Sequence, residues 1–200
     1  MRKGDLTRER ILESAVELAS TEGLSGLSIG RLAERMRMSK SGLFAHFGSK
    51  EGLQVDVLAA AIARFRDTVM TPAFRAPRGE PRLRALFDRW LDWADHQSLP
   101  GGCLLTAAAV ELDDQPGPAR DALVEAQQQW AEALARAVCI AIEERHFRSN
   151  VDPHLFAFQM HSIVLGYYHA RRLLRDPDAQ RRAREAFEAL IASAHPRKAH

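Results

Sequence analysis

The 200-residue chain has only two cysteines, Cys103 and Cys139, and no pairing of cysteine with histidine at metal-binding spacing. Two are too few for a disulfide framework, so a reducing, cytoplasmic setting is expected. No stretch approaches the roughly 18 uninterrupted apolar residues of a membrane span. No apolar run follows the opening Met-Arg-Lys-Gly-Asp either, so no secretory leader is expected. Net charge is only +2, from 28 basic and 26 acidic side chains, which excludes a general polycation. No convincing strand pattern is found, and there are no internal repeats. Catalytic signatures are missing too: no paired Glu-x-x-His and no phosphate loop. His154, His161 and His169 stand seven and eight residues apart, too far for neighbours to share a tetrahedral ion without other ligands. Neither an enzyme nor a metal or other cofactor is expected.

What the chain does have is helical periodicity and a local excess of positive charge. Residues 1–50 carry nine Lys/Arg against six Asp/Glu, and residues 31–50 carry five bases against one acid, Glu34. That is how a surface facing a polyanion is written. Thr7 can cap a first helix, on which Ile11, Leu12, Ala15, Val16 and Ala19 recur at helical spacing until Glu22-Gly23. Ser28 begins a shorter helix, and Ser39 caps a third that runs through Phe47. Ser49-Lys50-Glu51 opens a fourth, ending near Met70. Pro72, Pro77, Gly79 and Pro81 mark a connection. Five more helices follow, from Leu83, Cys103, Ala119, Pro153 and Pro177, with proline favoured just inside a helix start. The expected fold is all-α, with about nine helices.

The stretch SIGRLAERMRMSKSGLFAHFGSKEGL (Ser28 to Leu53) carries the functional information. Two helices of under ten residues are joined by about three residues, and neither has enough apolar surface to stand alone. Ile29, Leu32, Ala33, Leu43 and Phe47 are expected to pack on the first and fourth helices. Lys40, Ser41, Gly42, Phe44, Ala45 and His46 then point outward. A compact three-helix unit presenting a short, basic, small-residue helix fits a B-DNA major groove about 12 Å wide. Ser39, Lys40 and Ser41 supply donors, and Lys50 sits at a helix start that also favours phosphate.

These residues resemble the TetR family of bacterial regulators, whose usual pattern is close to S-[KR]-G-T-[LI]-Y-x-[HY]-F-x-[ST]-K-[ED]-x-L. The likeness covers about the first quarter of the chain. It implies an N-terminal three-helix helix-turn-helix domain over 1–50, with helix 50–70 connecting, and a larger effector-binding and dimerisation domain over 51–200. It implies DNA contacts from Ser28, Arg37, Ser39, Lys40, Ser41, Gly42, Phe44, His46 and Lys50, with Lys40, Ser41 and Gly42 nearest base edges and Phe44, His46 and Lys50 facing phosphates. Phe44 stands where Tyr is usual, Gly42 where Thr is common, and Arg37 where Gly is usual in the turn, a position that favours positive φ. These departures bear on the operator sequence more than on the activity.

A palindromic operator with half-sites one turn apart requires a homodimer. The last two helices are the candidates, with Phe156, Ile163, Gly166, Tyr168, Phe187, Leu190 and Ile191 at the interface. Trp90, Trp93, His96, Cys103, Thr106, Trp130, His161 and Tyr167 are aromatic or polar residues on otherwise apolar helices. They are the candidate lining of a small-molecule effector pocket. Cys103 reads either as a reactive thiol at a helix N-terminus or as a small packing residue. The expected function is a ligand-responsive transcriptional repressor. A ligand-independent DNA binder with a filled second domain would share the motif but lack the cavity.

Overall fold

The computed structural model describes residues 3–94 and 99–196, with side chains from Thr7 onward. Among the described residues the chain is all-α, with nine helices and no strand. They are α1 (Lys3–Glu22), α2 (Ile29–Met36), α3 (Lys40–Phe47), α4 (Lys50–Phe65), α5 (Glu80–Ala94), α6 (Leu104–Leu112), α7 (Pro118–Glu143), α8 (Pro153–Tyr168) and α9 (Ala179–Ala194). Two of them run on through π-helical turns: α4 through Arg66–Met70 into a last turn at Thr71–Ala73, and α8 through His169–Leu173.

Four local expectations differ from the structure, one of them being that the last helix opens at Ala179 behind Asp178, so that Pro177 lies in the turn before it and not in its first turn. Thr7 lies inside α1 instead of capping it, since no proline interrupts Lys3–Leu6 and each added residue closes another hydrogen bond. The fourth helical run passes Pro72 and ends at Ala73. The ladder changes from α to π over Arg66–Met70, just before Pro72, whose missing N–H cannot continue an α ladder. The fifth helix opens at Glu80, before Pro81 rather than after it, which puts the proline in the first turn where it is tolerated.

The described residues form two compact units. The first takes in residues up to Phe65 together with 99–126; the second takes in 66–94 and 127–196. In the first unit α1 packs on α2, α4 and α6, α3 on α2 and α4, and α6 on α4. Ile11, Leu24, Leu27, Leu32, Leu43, Leu53, Val57 and Leu58 are fully enclosed there, with Leu104 and Ala108 of α6 added. Burying each leucine contributes about 1.5–3 kcal/mol, and this is how two eight-residue helices, α2 and α3, are held in place. In the second unit α5 packs on α8 and α8 on α9. Phe87 of α5 lies flat on Phe187 of α9, ring centres 3.9 Å apart, amid buried Leu83, Leu86, Met160, Val164 and Ile191.

Candidate functional site

Ser28 and Ser39 start the two short helices in the same way. The Ser28 hydroxyl accepts the N–H of Arg31 at 3.3 Å, and that of Ser39 accepts the N–H of Gly42 at 3.1 Å. A serine that caps by accepting keeps its own O–H to donate outward. The turn between the helices is closed by Arg37 in the left-handed region, φ 53° and ψ 41°, its N–H reaching Ala33 and Glu34 carbonyls. A side chain with a Cβ is strained there, yet Arg37 is exposed, three residues before the start of α3.

Helix α3 is two-faced. Leu43 and Phe47 are buried against the unit's core, while Lys40, Ser41, Phe44 and Ala45 are exposed and Gly42 and His46 half-buried. Phe44 is 51% exposed, a large apolar side chain about half in water. A Cβ at Gly42 would meet only the Ser39 hydroxyl, at 3.0 Å, so this stretch of the helix is smooth. Lys40 lies back over Gly30 of α2, its Cε 3.5 Å from where a Cβ would stand. Arg8 of α1 pairs with Asp56 of α4 at 2.6 Å and covers the Phe47 ring at 5.6 Å, fixing the end of α3 from behind. The Lys50 ammonium donates to the Ser25 carbonyl at 2.8 Å. Lysine has three such donors, so two remain for another acceptor.

All nine residues singled out for DNA contact therefore lie on α2, α3, their caps and turns, or the first residue of α4. The residues singled out for a pocket divide between the two units. Trp90, Trp93, Trp130, His161 and Tyr167 lie in the second unit, Cys103 and Thr106 lie in the first, and His96 falls outside the described residues. In the second unit Trp90 meets Trp130 edge-on at 5.0 Å and the His161 ring at 5.1 Å. Burial pushes the His161 pKa down, which holds the ring neutral. Trp93 and Tyr167 are buried nearby in sequence on α5 and α8. Cys103 is a buried N-cap of α6 and makes no side-chain cap bond.

Of the residues singled out for a dimer interface, Phe156, Tyr168, Phe187, Leu190 and Ile191 are buried within the protomer, Ile163 is half-buried and Gly166 exposed. With 3.6 residues per turn, positions 156, 160, 164, 167 and 168 share the inner face of α8. The outer face carries Leu155, Phe158 and Leu165, and Phe158 is 69% exposed. Sequence alone had named residues with both fates on this helix, Phe156 and Tyr168 buried, Ile163 and Gly166 not, without dividing them. Between α8 and α9 the outer face opens into a groove of about 470 Å³ lined by Phe158, Ile163, Ala186 and Leu190 among others. None of the described helices is long and apolar enough to cross a membrane.

A short exposed helix held by capped turns on a three-helix core, with a separate helical unit behind it in the chain, defines a helix-turn-helix protein. Residues 11–57 match the family described as "Bacterial regulatory proteins, tetR family" and residues 79–187 match "Tetracyclin repressor-like, C-terminal domain". The chain belongs to the TetR family of transcriptional regulators. Among solved structures it is similar to a TetR-family transcriptional regulator from Cytophaga hutchinsonii, with 25% identity, 99% of each chain covered and a TM-score of 0.88. It is similar to AibR in complex with isovaleryl coenzyme A and operator DNA, with 24% identity, 94% of this chain and 98% of that one covered, and a TM-score of 0.71. Among curated proteins it is similar to the tetracycline repressor protein class C of Escherichia coli, 39% identical over 67 residues, which are 34% of this chain. That match spans only 30% of the repressor's length.

Proposed function

We propose that the protein is a cytoplasmic, homodimeric repressor that grips a palindromic operator with α3 of each protomer and lets go when a small molecule binds in the α5–α8 region. The two-faced α3 carries this reading: Leu43 and Phe47 anchor it while Lys40, Ser41, Phe44 and Ala45 stand in solvent. Ser28, Arg37, Ser39 and Lys50 surround it with donors and charge suited to phosphates. Lys40, Ser41 and Gly42 face the bases, His46 and Phe44 the sugar-phosphate backbone. The likeness to AibR, solved with both a coenzyme A thioester and operator DNA, and to a named repressor supports release by a ligand. We read the protein as acting by binding and not by catalysis, consistent with relatives that are regulators.

The division of labour proposed is 1–50 for DNA, with the following helix as connector, and 51–200 for effector and dimer. The second copy is expected on the outer face of α8 and α9, through Phe158, Ile163, Gly166, Ala186 and Leu190. Gly166 has open space where a Cβ would stand, which permits close approach of a partner helix. Trp90, Trp130 and His161, with Trp93 and Tyr167, are the proposed effector-sensing residues, and a neutral His161 is suited to hydrogen-bond an uncharged polar group.

The test is selection of a binding sequence from a random duplex pool with the purified protein, followed by anisotropy titration of the selected duplex. Lys40→Ala is expected to weaken binding and to lower the salt slope by about 0.9 if the lost contact is to phosphate, or to shift base preference if it reads a base. Unchanged affinity, slope and preference would overturn the assignment of α3.

A further inference from the structure

The turn between α1 and α2 is held by side chains from far along the chain. Both oxygens of the Glu111 carboxylate, on α6, accept backbone N–H groups there: Leu24 at 3.2 Å and Ser25 at 2.9 Å. From the other side Gln54 donates to the Leu24 carbonyl at 3.0 Å and Lys50 to the Ser25 carbonyl at 2.8 Å. The four backbone groups of two successive residues are thus taken by three side chains from α4 and α6. The sequence makes room for this. Gly23 has φ 80°, and a Cβ on it would stand 2.8 Å from Glu111 Oε1. A second seam runs alongside it: the Gly101 N–H donates to the Ser20 hydroxyl at 3.2 Å, and a Cβ at Gly101 would fall 1.5 Å from the Ser20 carbonyl oxygen.

The turn leads directly into Ser28 and α2, and α2 is tied to the end of α1 by Arg31–Glu22 at 2.7 Å. The turn after α2 is closed by the Met38 N–H on the Ala33 carbonyl. Whatever fixes Leu24 and Ser25 therefore fixes where α2 begins, and through it the direction in which α3 is presented. We propose that Glu111 is a positioning residue for DNA recognition. Although it lies within the segment 79–187 that matches the repressor-like C-terminal domain, it completes the DNA-binding unit by clamping the α1–α2 turn. A charged acceptor makes this clamp stronger than a neutral one, because bonds to an ionised group contribute more than neutral ones. This rests on the regulator reading only for its consequence in DNA binding; the clamp itself does not depend on it.

The experiment uses the full chain, wild type and Glu111→Gln, with the duplex selected by the wild type and a random duplex of equal length. Glutamine keeps the size but offers one acceptor oxygen where the carboxylate offers two, and its NH₂ faces an N–H. Amide hydrogen exchange at Leu24 and Ser25 is expected to speed up about tenfold in Glu111→Gln, while amides in the middle of α1 stay unchanged. Binding to the random duplex, which depends on phosphate charge, should stay within about twofold, while the ratio of selected to random affinity falls about tenfold. Glu111→Asp, which keeps the carboxylate on a shorter arm, should recover part of that ratio. An unchanged ratio in Glu111→Gln overturns the positioning role. Rapid exchange of both amides in the wild type overturns the clamp even if no variant folds. A wild type that selects no duplex defeats the regulator reading and leaves the exchange result to decide the clamp.

Discussion

Replacing Arg37 by glycine should move stability and DNA binding in opposite directions. Arg37 sits at φ 53°, ψ 41°, a left-handed conformation that disfavours a residue with a Cβ by about 1–2 kcal/mol. Its backbone N–H still reaches Ala33 and Glu34 carbonyls, and glycine would keep those bonds. Glycine also gains freedom in the unfolded chain, which offsets roughly 0.5–1 kcal/mol. The net expectation is a gain of about 0.5–1 kcal/mol, or roughly 1–4 °C in Tm for a protein of this size. The same change removes an exposed cation three residues before α3, so affinity for any duplex should fall and the slope of log affinity against log salt should flatten by about 0.9. Thermal unfolding followed by circular dichroism and anisotropy at several salt concentrations read the two effects separately. A lower Tm with an unchanged salt slope would refute both the strain argument and the placement of Arg37 near phosphate.

Four further outcomes follow from the same structure. Gly101→Ala, whose Cβ would collide with the Ser20 backbone, should destabilise by at least about 2 kcal/mol, measured by urea unfolding; a neutral result would show that the loop before α6 does not lie against α1. Trp90→Ala, removing a 4%-exposed ring between Trp130 and His161, should cost about 3–5 kcal/mol and alter the near-ultraviolet circular dichroism; a loss under about 1 kcal/mol would place that cluster outside the core. Because burial lowers the His161 pKa, the unfolded chain takes up this proton before the folded one does. Stability should therefore fall as pH drops below the ordinary histidine value, about 6.5, and His161→Gln should flatten that part of the profile; an unchanged profile contradicts the burial. Phe158→Glu, on the exposed face of α8, should shift the protein toward monomer in sedimentation without lowering the protomer's helicity, and a retained dimer moves the interface elsewhere.

The all-α fold and the helix-turn-helix were legible because both rest on local signals. Ser28, Ser39 and Gly48 mark helix ends, and Leu32, Leu43 and Phe47 repeat at helical spacing, so the inward and outward faces of α3 follow from the sequence. The division of faces on α8 was less legible. Leu155, Phe156, Phe158, Val164, Leu165 and Tyr167 are apolar nearly all round, and hydrophobicity alone cannot say which of them point inward. The Glu111 clamp left no sequence signal at all, because its partners are backbone N–H groups 86 and 87 residues away. The π turns at Arg66–Met70 and His169–Leu173 were not expected either; the first precedes a proline, whereas nothing in the local sequence accounts for the second. The candidate effector residues were chosen by residue type, which does not carry position; Cys103 and Thr106 belong to the first unit and the tryptophans to the second.

The most direct test of the central claim is hydroxyl-radical footprinting of the selected duplex with the purified protein, paired with measurement of how many chains bind it. Two protected patches of mirrored sequence are expected, their centres one helical turn apart at about 34–36 Å, occupied by an even number of chains, with both patches weakened together in Lys40→Ala. A single patch bound by one chain, or protection that survives loss of the α3 side chains, would contradict that claim.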